Sequence, residues 1–85
     1  MKRILIVEDE AAIREFEAIN LKRVGYETVE AGSGEEALEI YDSDTLGFDI
    51  ALLDIMMINK NIRFLMIMMK SSKKYNSIKK VILVI

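Results

Sequence analysis

Two short apolar runs, at residues 4–7 and 50–53, and a weakly alternating stretch at 26–31, with a helical pattern between successive segments, constrain this chain more than any other feature. The first, Arg3-Ile-Leu-Ile-Val7, is continuous and rich in β-branched residues, as in a strand covered on both faces of a parallel sheet. It stops at Glu8-Asp9-Glu10. From about Ala11 the spacing becomes helical, with Ile13, Phe16, Leu21 and Val24 near one face and Arg14, Glu15, Lys22 and Arg23 away from it. Gly25 then serves as a C-terminal stop. Residues 26–31 alternate weakly, as in a second strand. Ser33, with Glu36 three residues on, fits a capping box. Ala37, Leu38 and Tyr41 line a second helix that ends near Asp42-Ser43-Asp44, and Gly47 punctuates the loop after it. Asp49-Ile-Ala-Leu-Leu-Asp54 is a third strand, apolar inside and acidic at both ends.

The order β-α-β-α-β with short connections predicts parallel strands joined by right-handed crossovers. The expected class is therefore α/β, a partial doubly wound parallel sheet. In such sheets ligands bind outside the carboxyl ends of the strands, where strand order reverses. If the first and third strands are neighbours, as in a 2-1-3 order, Glu8, Asp9 and Asp54 meet in one crevice. That clustering is costly unless a cation neutralises it. Hard oxygen donors in a hydrated cleft suit Mg²⁺, which usually takes one or two carboxylates and keeps several waters. With a cation beside it, the Asp54 carboxylate is a candidate nucleophile toward phosphorus. The residue inventory narrows the alternatives. The 85 residues include no Cys and no His, which excludes disulfide scaffolds, thiol or imidazole nucleophiles and zinc fingers. A chain this short makes at most one domain.

The strings Arg3-Ile-Leu-Ile-Val-Glu-Asp-Glu10, Gly25-Tyr-Glu27, Ala31-Gly-Ser-Gly-Glu-Glu-Ala-Leu38 and Asp49-Ile-Ala-Leu-Leu-Asp-Ile-Met-Met57 together resemble a response-regulator receiver domain. These are the phosphoacceptor modules of two-component signalling, with a flavodoxin-like fold. The resemblance is greatest to receivers fused to winged-helix DNA-binding domains, and it covers about residues 2–57. It implies that Glu8 and Asp9 are the acidic metal pair, that Asp54 is both a metal ligand and the phosphorylated aspartate, and that Met56 supplies a backbone carbonyl to Mg²⁺. It also implies a sensor histidine kinase as partner, and a phosphoacceptor rather than an enzyme. Direct nucleic-acid contact is expected of the fused output domain and not of this chain. The acids that follow the first apolar run leave no signal peptide or membrane span there, so the expected location is the cytoplasm.

After Met57 the character changes. All 14 acids lie between Glu8 and Asp54, and with the five basic residues of positions 1–57 that segment carries a net charge of −9. From Ile58 onward there are seven basic residues and no acid, a net +7, and all four glycines precede this point. Residues 1–57 therefore read as the N-terminal part of a receiver and 58–85 as a divergent basic tail. Within the tail a helix is expected over about 63–74, and Val81-Ile-Leu-Val-Ile85 is available as a fourth strand. Ile58 stands where the resembled family usually has proline, and the Asp-Gly expected in the next loop is missing. The family's Ser or Thr after the fourth strand and its Lys after the fifth have no counterpart here. Two explanations are open: loss of the original reading frame near residue 58, or a divergent or deliberately shortened receiver.

Simpler readings compete at each position. Glu8, Asp9 and Glu10 fit a solvated helix N-terminus, where acids meet the dipole favourably. Gly32-Ser33-Gly34 lacks the spacing and the following Lys-Ser/Thr of a phosphate loop and fits a helix cap. The late methionines fit packing, and the late lysines fit a solvated face. At the level of function, a truncated remnant without switch residues and a kinase-titrating module stand beside the phosphoacceptor.

Overall fold

The computed structural model describes residues 2–54 and 80–84. Among them, β1 (Arg3–Val7), α1 (Ala11–Arg23), β2 (Glu27–Ala31), α2 (Gly34–Ser43), β3 (Ile50–Asp54) and β4 (Lys80–Val84) follow in chain order. The expected alternation holds, with β2 and β3 each starting one residue later than the sequence implies. The helix expected over 63–74 lies outside the described residues.

The strands form one parallel sheet in the order β2-β1-β3-β4. β1 is central to the first three, with Val7 in register with Ala31 on one side and with Leu53 on the other. β4 continues the sheet beyond β3, running from Lys80 opposite Ile50 to Val84 opposite Asp54. The acid-rich first segment and the end of the basic second segment thus share a single sheet.

The absence of alternation in β1 follows from burial on both faces. Leu5 and Val7 join Ala31, Ala37, Tyr41, Phe48, Ala51 and Leu53 in a core on the α2 side. Ile4 and Ile6 join Ala18 on the α1 side, with Leu21, Tyr26, Ile50 and Leu52 packed against them. Each fully buried Leu, Ile or Val contributes about 1.5–3 kcal/mol relative to exposure. The unbroken buried run from Ile4 to Val7 therefore fixes the centre of the sheet.

The helix ends are built by local chemistry. At the end of α1 the Gly25 N–H donates to the Lys22 carbonyl at 3.0 Å, and the Tyr26 N–H donates to the Leu21 carbonyl at 3.1 Å. This is the Schellman pattern, and it requires the left-handed φ of +99° at Gly25. At the start of α2 the Ser33 hydroxyl accepts the Glu36 N–H at 3.1 Å. The reciprocal arm of the capping box reaches one residue further back than usual, Glu36 accepting from the Gly32 N–H at 3.2 Å.

One expectation is corrected. The sequence pattern puts Ile13, Phe16, Leu21 and Val24 on the packing face of α1, yet Phe16 is 67% and Val24 70% exposed, and Ile13 is also exposed. The inward stripe is Arg14, Glu17, Ala18 and Leu21, the positions with least exposure and with helical spacing. Ala18 explains the choice, because a small residue at the contact lets the helix backbone approach the sheet closely. Hydrophobicity alone selects the wrong stripe.

At the opposite end of the sheet from the predicted site, Arg3 holds the α2–β3 connection. Its Nη1 donates to Asp44 at 2.9 Å and to the Gly47 carbonyl at 2.7 Å, and its Nε to Glu27 at 3.1 Å. The guanidinium carbon lies 4.6 Å from the centroid of the buried Phe48 ring. These bonds anchor the loop from which β3 starts.

Candidate functional site

β1 and β3 run parallel with Val7 opposite Leu53, so their next residues, Glu8 and Asp54, occupy adjacent positions on the carboxyl edge of the sheet. Neighbouring strands lie about 4.8 Å apart. Asp54 is the last residue of β3, and the backbone brings it next to the acidic pair as the 2-1-3 order requires. Asp9 follows Glu8 directly and is exposed. Met56, expected to contribute a carbonyl, lies outside the described residues.

Glu8 departs from an ordinary strand-ending acid. It is 3% exposed, the sole buried charged side chain among the described residues. Its N–H donates to the Ala31 carbonyl at 3.1 Å, which extends the β1–β2 pairing by one step. Its Oε1 accepts the Glu10 N–H at 3.0 Å, closing the turn into α1. Burying a carboxylate is expensive unless charge-assisted hydrogen bonds compensate it.

A solvated helix terminus therefore describes Asp9 and Glu10 but not Glu8. Glu10 is the N-cap of α1, with extended backbone and no side-chain capping bond, and the first turn of α1 contains no acid. The carboxylate that supports the turn belongs to Glu8 and comes from the strand side.

The donor set fits a hard divalent cation by its chemistry, since acids at two neighbouring strand ends supply oxygen donors at an edge where water can complete the shell. Among the described residues no three carboxylates converge on one point. A Mg²⁺ ion does not need three, because water fills the remaining octahedral positions. Gly32-Ser33-Gly34 closes the same edge beyond β2 as a helix cap, in line with the simpler reading of that string.

Sequence reasoning misses one residue of this edge. The helical pattern puts Arg14 on the solvent face of α1, but it lies on the inward stripe and its Nη1 donates to the Glu8 carbonyl at 2.8 Å. Its spacing six residues after Glu8, on the first turn of the following helix, is the one signal that could reveal it. The β4 position that carries a cation is remote from this edge. Lys80 starts that strand opposite Ile50, four residues or about 13 Å along the strand from the Asp54 position.

Comparison with known proteins gives a consistent result. The sequence matches the family described as response regulator receiver domain over residues 4–83. It is 45% identical over 58 residues to the CAI-1 autoinducer sensor kinase/phosphatase CqsS of Vibrio cholerae, covering 68% of this chain and 8% of that protein. It is 43% identical over 56 residues to the probable transcriptional regulator ycf27 of Guillardia theta, covering 66% of this chain and 21% of that protein. The chain thus spans about a fifth or less of the length of these relatives. Among solved structures, a response regulator receiver protein from Pseudomonas putida superposes with a TM-score of 0.83 at 24% identity, covering 98% of this chain and 66% of that one. The response regulator TrrA of Thermotoga maritima, solved in complex with Mg²⁺ and BeF, gives a TM-score of 0.68 at 29% identity, covering 98% of this chain and 86% of that one. TrrA has also been solved in complex with the histidine kinase ThkA.

Proposed function

This chain belongs to the response regulator receiver domain family, and from that premise we propose that it is a phosphoacceptor in a two-component phosphorelay. Asp54 accepts a phosphoryl group from the phosphohistidine of a sensor histidine kinase. The observation that carries this reading is the buried Glu8 at the end of β1, one strand away from Asp54 at the end of β3. A buried acid at a strand end, in register with a second acid, is a poor structural choice and a good cation site.

In the proposed reaction one Asp54 carboxylate oxygen attacks phosphorus. The O–P bond forms as the N–P bond to the kinase imidazole breaks, the electron pair returns to nitrogen, and the product is an acyl phosphate. Glu8, Asp9, Asp54 and the Met56 carbonyl would hold Mg²⁺. When bound, the ion neutralises the edge and stabilises charge on the transferring group. Glu8 is held in place by the Glu10 N–H, and the exposed Asp9 is accessible at the mouth of the edge. The complexes of TrrA with Mg²⁺ and BeF and with ThkA support the ion and partner classes by analogy.

The chain is a phosphoacceptor and not an enzyme in this proposal, and it works in the cytoplasm beside the kinase. No helix among the described residues is long and apolar enough to cross a membrane. DNA binding belongs to the longer regulators it resembles and is not assigned to these residues.

The test is incubation with a small phosphodonor and Mg²⁺, read by intact-mass spectrometry. The expected result is a gain of one phosphoryl group that is absent in Asp54→Asn. Unmodified wild-type protein, or equal modification of the variant, contradicts the assignment. A truncated remnant predicts no transfer at all, and a kinase-titrating module predicts binding without transfer.

A further inference from the structure

We propose that Arg14 is the positioning residue that presets the Glu8–Asp9 pair for a divalent cation, an inference that rests on the Mg²⁺ reading of this edge. Arg14 lies on the stripe of α1 that packs toward the sheet, and its side chain is 22% exposed. A cation on the inward face of a helix calls for partners, and Arg14 has two, with a third segment shaped to admit it. Nη1 donates to the backbone oxygen of Glu8 at 2.8 Å, beyond the end of β1. Nε lies 3.6 Å from Glu30 Oε1 on β2. Gly32, at the start of the β2–α2 loop, makes room for the group, since a Cβ there would come within 3.2 Å of Nη1.

The carbonyl that Arg14 holds belongs to the peptide joining Glu8 to Asp9. Fixing that peptide plane fixes the directions in which both side chains leave the backbone. The Glu10 N–H restrains the far end of Glu8, so the turn is held from both sides. The planar fork of arginine suits this task. A lysine carries the same charge but is a single-point donor, and it cannot bridge the carbonyl and Glu30 while lying against Gly32.

The charge of Arg14 also acts on a nearby cation, and repulsion would weaken binding, whereas positioning strengthens it. Arg14→Lys separates the two because it keeps the charge and removes the fork. Gly32→Ala is a second, independent variant that intrudes on the guanidinium without changing any charge.

The experiment is a Mg²⁺ titration of wild type and both variants, followed by two-dimensional amide NMR. Outer-shell residues that orient metal ligands typically change affinity by about 10–100-fold. Here Arg14→Lys should weaken Mg²⁺ binding by about tenfold and Gly32→Ala in the same direction. Before metal is added, amide shifts in Arg14→Lys should be confined to the substituted position and residues 8–10, 30 and 32. Wild-type affinity in Arg14→Lys, with or without a loss of stability, overturns the positioning role while leaving the Mg²⁺ reading intact. A wild-type spectrum indifferent to Mg²⁺ overturns both, and the two failures are told apart by the wild-type titration alone.

Discussion

Replacing Glu8 with Gln should stabilise the metal-free protein and abolish its response to Mg²⁺. Glu8 is 3% exposed, and its Oε1 accepts the Glu10 N–H at 3.0 Å. A Gln side-chain oxygen can keep that bond, while the substitution removes the charge. The neighbouring strand ends in Asp54, and any two like unit charges about 5 Å apart repel by about 3 kcal/mol at an effective dielectric of about 20. The expected gain in urea unfolding of Glu8→Gln without metal is therefore about 1–3 kcal/mol. Wild-type protein with Mg²⁺ at about ten times its Kd should gain about 1.4 kcal/mol by linkage. The variant should gain nothing. Urea denaturation of both proteins, with and without Mg²⁺, gives all four values. Destabilisation of metal-free Glu8→Gln by about 1 kcal/mol or more would show that the carboxylate is a structural anchor held by its hydrogen bond. An undiminished Mg²⁺ gain in the variant would show that it is no ligand. Either result refutes the reasoning.

Other outcomes follow from the same geometry. Ser33→Ala removes the hydroxyl that accepts the Glu36 N–H and should cost about 1 kcal/mol in chemical denaturation, with Mg²⁺ affinity unchanged; a large loss of affinity would mean that the cap belongs to the site. Gly25→Ala forces an L side chain into a φ of +99° and should destabilise by about 1 kcal/mol or more, again seen in the urea midpoint, where an unchanged value would contradict the Schellman reading. Phosphorylation should shift amides near the carboxyl edge and leave distant ones alone. The register partner of Asp54 on β4 is the apolar Val84, which offers no hydroxyl to the phosphoryl group, and a spectral change throughout the domain would overturn that expectation.

Much of the fold is legible because the sequence states it redundantly. The run at residues 4–7 reads as a doubly covered strand, and burial on both sides is what the structure shows. Gly25 and Ser33 mark helix ends through bonds made within a few residues, so local sequence is enough to find them. The convergence of β1 and β3 is legible only through topology, because a separation of 46 positions hides the proximity of Glu8 and Asp54.

What is not legible depends on tertiary contact. The packing face of α1 is chosen by the fit of Ala18 against the sheet, not by which residues are most apolar, so Phe16 and Val24 mislead. Arg14 resembles a solvent-facing cation because nothing in its own neighbourhood announces a carbonyl presented by the end of the preceding strand. Phe48 gives little signal because it sits alone between a glycine and an acid, yet it is among the largest fully buried side chains. The burial of Glu8 is equally hidden, since a string of three acids reads as solvated.

The most direct test of the central claim is an amide NMR titration of the wild-type chain with Mg²⁺ and then with beryllofluoride, a mimic of the phosphoryl group. The account predicts shifts at Glu8, Asp9 and Asp54 on adding Mg²⁺, and a second set centred on Asp54 that requires Mg²⁺ and is lost in Asp54→Asn. A spectrum that ignores both additions would contradict it.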